Sequence, residues 1–217
     1  MVHNLGESNS VFNQFIAEIR SVEIQNDRMR FRRNLERIGE IFAYEISKTL
    51  DYQDVEVSTQ LGVAIVKTIV EQPVLATILR AGLPLHQGLL NYFDKADNAF
   101  ITAYRKYDKN EAFEIRVEYI SSPAIKDKVL ILTDPALATG SSIVKTLKEI
   151  ILLGKPKHIH IVSALASAEG LEYVKRNFSG KNVTIWVGGI DDELTAQAYI
   201  VPGLGDAGDL AFGKKGE

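Results

Sequence analysis

The chain has 217 residues, 46% of them hydrophobic and 24% charged, enough apolar mass for a core and too much for a disordered or fibrous chain. It has no cysteine, which removes disulfides, thiolate metal ligands and cysteine nucleophiles and accords with a reducing cytoplasm. A net charge of −3 provides no global field for nucleic acid, no apolar run reaches the roughly 18 residues of a membrane span, and MVHNLGESNSV lacks the pattern of a secretory signal.

Two helices are predicted first. Val11, Phe12, Phe15, Ile16 and Ile19 recur at helical spacing behind a candidate cap, Ser10. From about Asn26, the residues Phe31, Leu35, Ile38, Phe42 and Ile46 draw a second, longer stripe. Arg28, Arg30, Arg32, Arg33 and Arg37 on this helix read as a solvated face, with a subunit or ligand contact as the alternative. Beyond residue 55, β-branched runs at 74–79, 99–103, 129–133, 158–164 and 183–187 alternate with helical patterns at 83–93, 143–153 and 169–177. That alternation predicts an α/β fold, a mostly parallel twisted sheet flanked by helices on both faces. No long linker, repeat or low-complexity stretch interrupts it, so one domain is expected over 1–217, with an N-terminal helical segment over 1–50 and a glycine-rich C-terminal segment over 198–217.

Ligands of such sheets sit beyond the carboxyl ends of the strands, so the loops there carry the chemistry. In KVLILTDPALATGSS an apolar strand ends at Asp134, and Ala138, Thr139, Gly140, Ser141 and Ser142 lead into a helix. Free amides, three hydroxyls and the positive helix end make a phosphate cradle, with Asp134 placed to accept from sugar hydroxyls. A nucleotide-triphosphate loop is excluded, because Val144 stands where its second glycine belongs. In TILRAGLPL, Arg80 follows a strand directly and precedes an Ala81-Gly82 turn, a placement suited to bidentate capture of phosphate. AYRKYDKNEAFE, residues 103–114, reads as a polar, mobile loop whose Arg105 and Lys106 can fold over a polyanion. At the end of the chain, Gly203, Gly205 and Gly208 match G-x-G-x-x-G, but no βαβ unit follows. They instead predict a tight loop around Asp206 whose backbone lines a flat pocket. His3, His86, His158 and His160 show no ligand spacing; His158 and His160 share a strand face, and structural or surface roles are expected for all four.

Together, TDPALATGSS, the upstream ILRAGLP and the terminal YIVPGLGDAGD resemble the uracil phosphoribosyltransferase family, within the type I phosphoribosyltransferase superfamily, from about residue 20 to the C-terminus. The resemblance implies transfer of phosphoribosyl from 5-phosphoribosyl 1-diphosphate to uracil, giving UMP and diphosphate. It implies that Asp134, Pro135, Ala136, Leu137, Ala138, Thr139, Gly140, Ser141 and Ser142 hold the ribose and its 5′-phosphate. Arg80 and Arg105 would hold the diphosphate, Ile200, Gly205, Asp206 and Ala207 would read uracil, and Asp206 would also lie close to the ribose diphosphate. It further implies catalytic roles for Arg80, Arg105 and Asp206, magnesium carried by the diphosphate rather than by a protein metal site, a homodimer or larger homo-oligomer, GTP as an effector, and a cytoplasmic enzyme. The chain departs from the family pattern at Ser141, where a second glycine is usual, and at Leu210 and Lys214, where a basic residue and threonine are common.

Two other readings remain open at this stage. A phosphoribosyltransferase for a purine or orotate is opposed by Asp134-Pro135 and the GDAGD tail. A phosphoribosyl-diphosphate-sensing regulator of nucleic acid is opposed by the acidic balance and favoured only by the Arg28 to Arg37 run.

Overall fold

The computed structural model describes residues 1–107, 113–180 and 182–215, without the side chains of residues 104–107 and 113–115. In chain order the strands are β1 (Val2–Asn4), β2 (Tyr52–Thr59), β3 (Gly62–Ile69), β4 (Val74–Leu79), β5 (Asp97–Tyr107), β6 (Phe113–Ser121), β7 (Val129–Thr133) and β8 (Ala136–Leu137). They continue with β9 (His158–Ser163), β10 (Leu165–Ser167), β11 (Val183–Val187), β12 (Ile190–Asp191), β13 (Glu193–Leu194) and β14 (Ile200–Val201). The helices are α1 (Val11–Arg20), α2 (Arg28–Ser47), α3 (Leu83–Leu90), α4 (Ser141–Ile150), α5 (Ala168–Asn177) and α6 (Ala207–Phe212).

The main sheet runs β1-β11-β9-β7-β4-β5-β6, parallel except for the β5–β6 pair. Alternation along β7 assigns its two faces. Val129 and Ile131 join Phe12, Leu35, Ile38 and Leu85 of α1, α2 and α3 in one core, while Leu130 and Leu132 join Ile143, Leu147 and Val174 of α4 and α5 in the other. Each such side chain, fully buried, contributes about 1.5–3 kcal/mol. Ser10 caps α1 by accepting from Phe12 N at 3.3 Å, and Asp27 caps α2 by accepting from Arg30 N at 3.1 Å.

The order of the strands fixes where a ligand can sit. From β4 the chain passes through α3 to β5 on one side; from β7 it passes through α4 to β9 on the other. The connections therefore diverge between the adjacent, parallel β4 and β7, and a crevice opens beyond their carboxyl ends. Leu79 is followed there by Arg80, and Thr133 by Asp134.

Several expectations are corrected. Residues 103–107 and 113–114 are strand rather than loop: β5 continues to Tyr107 and β6 starts at Phe113, with Arg105 facing Ile115 in the backbone ladder. An edge hairpin tolerates charged residues that a central strand does not, so polarity misleads there. Residues 108–112 lie outside the described residues. The helix predicted over 83–93 stops at Leu90, and residues 151–153 form a 3₁₀ turn after α4. The glycine-rich tail contains α6, capped by the Asp206 carboxylate, which accepts from Asp209 N at 2.9 Å. The β2–β3 hairpin and the short β1, which pairs with β11, carry no prominent pattern in the sequence.

The basic run stays largely solvated, with Arg28, Arg30 and Arg33 exposed and Arg32 and Arg37 half-buried, yet several of its members also hold neighbouring elements. Arg30 grips Glu18 of α1 with two bonds of 2.9 and 2.8 Å, and Asn34 Nδ2 donates to the same carboxylate at 2.6 Å. Those donors hold the Glu18 carboxyl below its usual range. Arg32 Nη1 donates to Ala211 O at 2.7 Å and its guanidinium lies 5.9 Å from the Phe212 ring centre, so α2 also holds α6.

Candidate active site

A cleft of about 650 Å³ opens at the divergence of β4 and β7, and its lining gathers segments far apart in sequence. Arg80 comes from the end of β4, Asp134, Ala136, Ala138 and Ser142 from the β7–α4 connection, and Ile200, Gly205, Asp206 and Ala207 from the C-terminal segment. All were singled out by the sequence.

The β7–α4 connection is bolted to the layer beneath it. Asp134 N donates to Val162 O at 3.1 Å, and Asp134 O accepts from Ser163 Oγ at 2.6 Å. Pro135 O accepts from Leu165 N at 3.1 Å, while β8 pairs with β10. Ser167 Oγ donates to Ala138 O at 2.6 Å and accepts from Gly170 N at 2.9 Å, capping α5 and gripping the loop at once. The turn into α4 is made by Gly140 at φ +75, in the left-handed region that glycine occupies without strain. A Cβ there would stand 2.8 Å from Gly170 O, and one on Gly170 would collide with Ala138 O. Thr139 Oγ1 accepts from Ser141 N at 3.3 Å and lies 3.0 Å from Ser141 Oγ. The result is a rigid turn that brings Ser142, in the first turn of a ten-residue helix, to the cleft wall. Pro135, Leu137, Thr139, Gly140 and Ser141 do not line the cleft; Leu137 is buried in the core below, and these residues build the turn rather than the cleft surface.

Arg80 faces this turn across the cleft. Its Nη2 donates to Gly213 O at 3.2 Å and stands 3.7 Å from Asp209 Oδ1. Its Nε is buried without a hydrogen-bond partner, a donor left for something else to satisfy. The Arg105 side chain lies outside the described residues.

The third wall is held from a distance. β13 and β14 form a small antiparallel hairpin, and Thr195 N donates to Tyr199 O at 2.8 Å. Behind it, Arg20 of α1 donates to both Asp191 oxygens at 2.8 and 2.9 Å and to Gly203 O at 3.1 Å, while Asp191 accepts from Gly203 N at 3.0 Å. The sequence held no signal for this clamp, since its partners lie 171 residues apart. Asp209, Tyr199, Lys214 and Lys215 also line the cleft and were not anticipated.

The histidines are elsewhere. His158 and His160 do share a face, ring centres 4.6 Å apart, near the opposite end of the sheet. His160 Nδ1 accepts from Trp186 Nε1 at 3.0 Å, and burial pulls its pKa down from 6.5 to about 3. His3 stacks on Trp186 at 4.2 Å. Among the described residues no group of three His, Cys, Asp or Glu is arranged to hold a metal ion. The cleft does offer hard carboxylate oxygens at Asp134, Asp206 and Asp209, the donor type that magnesium takes. No helix among the described residues is long and apolar enough to cross a membrane.

Residues 7–214 match the family model of uracil phosphoribosyltransferase. A Porphyromonas gingivalis protein named uracil phosphoribosyltransferase is 54% identical over 214 residues, covering 99% of both chains. One of the same name from Thermococcus gammatolerans is 38% identical over 205 residues, covering 92% of this chain and 88% of its own. The solved structure of the AQ2163 protein from Aquifex aeolicus superposes with a TM-score of 0.86 at 30% identity, covering 98% of each chain.

Proposed function

The chain belongs to the uracil phosphoribosyltransferase family, and on that premise we propose how its residues transfer phosphoribosyl from 5-phosphoribosyl 1-diphosphate to uracil, giving UMP and diphosphate. In the reaction the bond from C1′ to the diphosphate oxygen breaks, uracil N1 bonds to C1′, and the N1 proton is released. Charge builds up as the bond to diphosphate breaks, on an oxocarbenium-like ribose and on the leaving group. Catalysis therefore consists of positioning and of stabilising the displaced negative charge.

Thr139, Gly140, Ser141 and Ser142 receive the 5′-phosphate through backbone amides, hydroxyls and the α4 dipole, and Asp134 accepts from the ribose hydroxyls. Arg80 takes the diphosphate, with its unpartnered Nε among the donors it offers. Arg105 is assigned the same ligand on the resemblance of its segment alone. Ile200, Gly205, Asp206 and Ala207 present main-chain groups to the edge of uracil, and Asp206 stands beside the ribose diphosphate. Magnesium carried by the diphosphate would spread its charge, and Asp134 and Asp206 would supply oxygen donors for it.

The observation that carries this reading is the single cleft in which Arg80, Asp134 and the Ile200 to Ala207 segment meet at the divergence of β4 and β7. The test is UMP formation from uracil and the activated sugar, with and without magnesium and with and without GTP, against hypoxanthine and orotate as competing bases. UMP formed only with magnesium supports the reading; preference for another base overturns it.

We assign the chain to one domain, to the cytoplasm and to a homodimer or larger assembly. In support of the assembly, the β2–β3 hairpin exposes Leu61, Val63 and Ile65, each more than 60% accessible, on an arm that two strands alone stabilise poorly. Light scattering checks it: the native chain is expected as a dimer or larger, and Val63→Lys with Ile65→Lys as a monomer.

A further inference from the structure

Three carboxylates line the cleft among the described residues, those of Asp134, Asp206 and Asp209. Among the described lining residues, Arg80 without further cations would set one guanidinium against three carboxylates, yet the ligand assigned to the cleft is a sugar bearing a monophosphate and a diphosphate. The balance is restored by Lys214 and Lys215, which line the same cleft and have no carboxylate within ion-pair distance among the described residues.

Their position is built. Gly213, at φ +88, turns the chain at the end of α6, and its carbonyl accepts from Arg80 Nη2 at 3.2 Å. Arg32 holds Ala211 O at 2.7 Å two residues earlier. The backbone immediately before Lys214 is thus tied both to the α2 helix and to the arginine that faces the diphosphate. Two flexible, unpaired ammonium groups on a fixed stalk beside Arg80 suit a doubly charged phosphate end whose shape changes as it leaves.

We propose that Lys214 and Lys215 are substrate-binding residues that, with Arg80, receive the diphosphate end of the activated sugar. The proposal rests on the transferase reading and deepens it. Unlike the cradle at α4, this contact is made by solvated point charges, so it acts mainly on capture of the polyanion and weakens with salt.

The test compares the native chain with Lys214→Gln/Lys215→Gln and with Lys214→Arg/Lys215→Arg. At low ionic strength the glutamine pair is expected to raise KM for the activated sugar roughly ten-fold, about two- to five-fold per exposed charge pair, and to leave KM for uracil within about two-fold. Calorimetry with magnesium diphosphate as the probe is expected to weaken by a similar factor. The arginine pair should restore both values, and added salt should narrow the gap. An unchanged KM for the sugar in the glutamine pair, with the native chain making UMP, overturns the proposal alone. Failure of the native chain to make UMP overturns the transferase reading beneath it.

Discussion

The two walls of the cleft are held in place by different physics. The β7–α4 turn is fixed by short-range sterics: Gly140 and Gly170 touch backbone to backbone, Ser163 and Ser167 bond its carbonyls, and β8 pairs with β10. The C-terminal wall from Ile200 to Gly213 has little ladder of its own. It packs Ile200, Leu204, Ala207 and Ala211 into the core, and three arginines reaching from elsewhere tie it further, Arg20 to Asp191 and Gly203, Arg32 to Ala211, and Arg80 to Gly213. A site that must hold a fixed phosphate on one side and admit a flat base on the other is served by that asymmetry. Backbone-to-backbone contact allows one geometry, whereas a wall tied largely by side chains has more room to adjust.

The largest effect should come from forcing the rigid wall. Gly170→Ala inserts a methyl against Ala138 O, so either the loop or α5 must shift. Overpacking of this kind costs about 1–3 kcal/mol, and an ångström of displacement at the cradle lowers kcat/KM by roughly 100-fold. Thermal melting and steady-state kinetics check the pair of effects; near-native kcat/KM would mean that the turn adapts and that the contrast between the walls is false.

Cutting a tether should do less, and in a different place. Arg20→Ala leaves the Asp191 carboxylate, 8% exposed, with the Gly203 amide as its remaining partner from the clamp. The buried charge costs about 3 kcal/mol of stability, the low end for a broken buried pair because Arg20 is partly exposed. KM for uracil is expected to rise roughly ten-fold, by loss of preorganisation, with KM for the activated sugar changed much less. Equal rises in both would show that the two walls do not move separately.

What was legible in the sequence follows the same division. The rigid wall is local, a strand, an acid, small residues and a helix within fifteen positions, so its order along the chain is also its order in space. The C-terminal wall announces its glycines but not its supports, because Arg20 and Asp191, or Arg32 and Ala211, become neighbours only after the sheet has formed. Polarity misled at Arg105 because an edge strand needs little apolar surface. Lys214 stood out only as a departure from the family pattern and Lys215 not at all, and the Gly213–Arg80 bond lies just before them at the cleft. The β2–β3 hairpin escaped notice, and most of its apolar residues, Ile69 apart, are exposed rather than packed on the core.

Acid asks whether the rigid wall owes its fixity to the whole sheet. His160 lies on β9, whose other end supplies Ser163 to the Asp134 carbonyl. Its folded pKa of about 3 lies below the ordinary 6.5 because burial disfavours the cation. The unfolded chain therefore binds the extra proton first, and the stability present above pH 6.5 is lost as pH falls toward 3, at about 1.4 kcal/mol per unit. His160→Gln keeps an acceptor for Trp186 and removes that proton. Between pH 7 and pH 5 its melting temperature should fall less than that of the native chain, with activity at pH 7 nearly unchanged. Parallel falls would locate the acid sensitivity in other groups.

The smallest effect tests Ser141, the place on the rigid wall where the family resemblance leads one to expect glycine. Ser141 stands at the first position of α4, its Oγ 3.0 Å from Thr139 Oγ1. Two consequences of that side chain compete. Its Cβ can crowd the phosphate, in which case Ser141→Gly lowers KM for the activated sugar. Alternatively Thr139 donates to Ser141 Oγ, which frees the serine proton for a phosphate oxygen. The contact between the two hydroxyls favours the second, because it draws Oγ into the turn while leaving its own hydrogen uncommitted. One hydrogen bond of about 0.5–1.5 kcal/mol corresponds to a rise of roughly two- to ten-fold in that KM for Ser141→Gly. Since Ser141 belongs to the turn proposed for the 5′-phosphate, KM for uracil should stay where it was, and a fall in KM for the sugar would assign the serine to crowding instead.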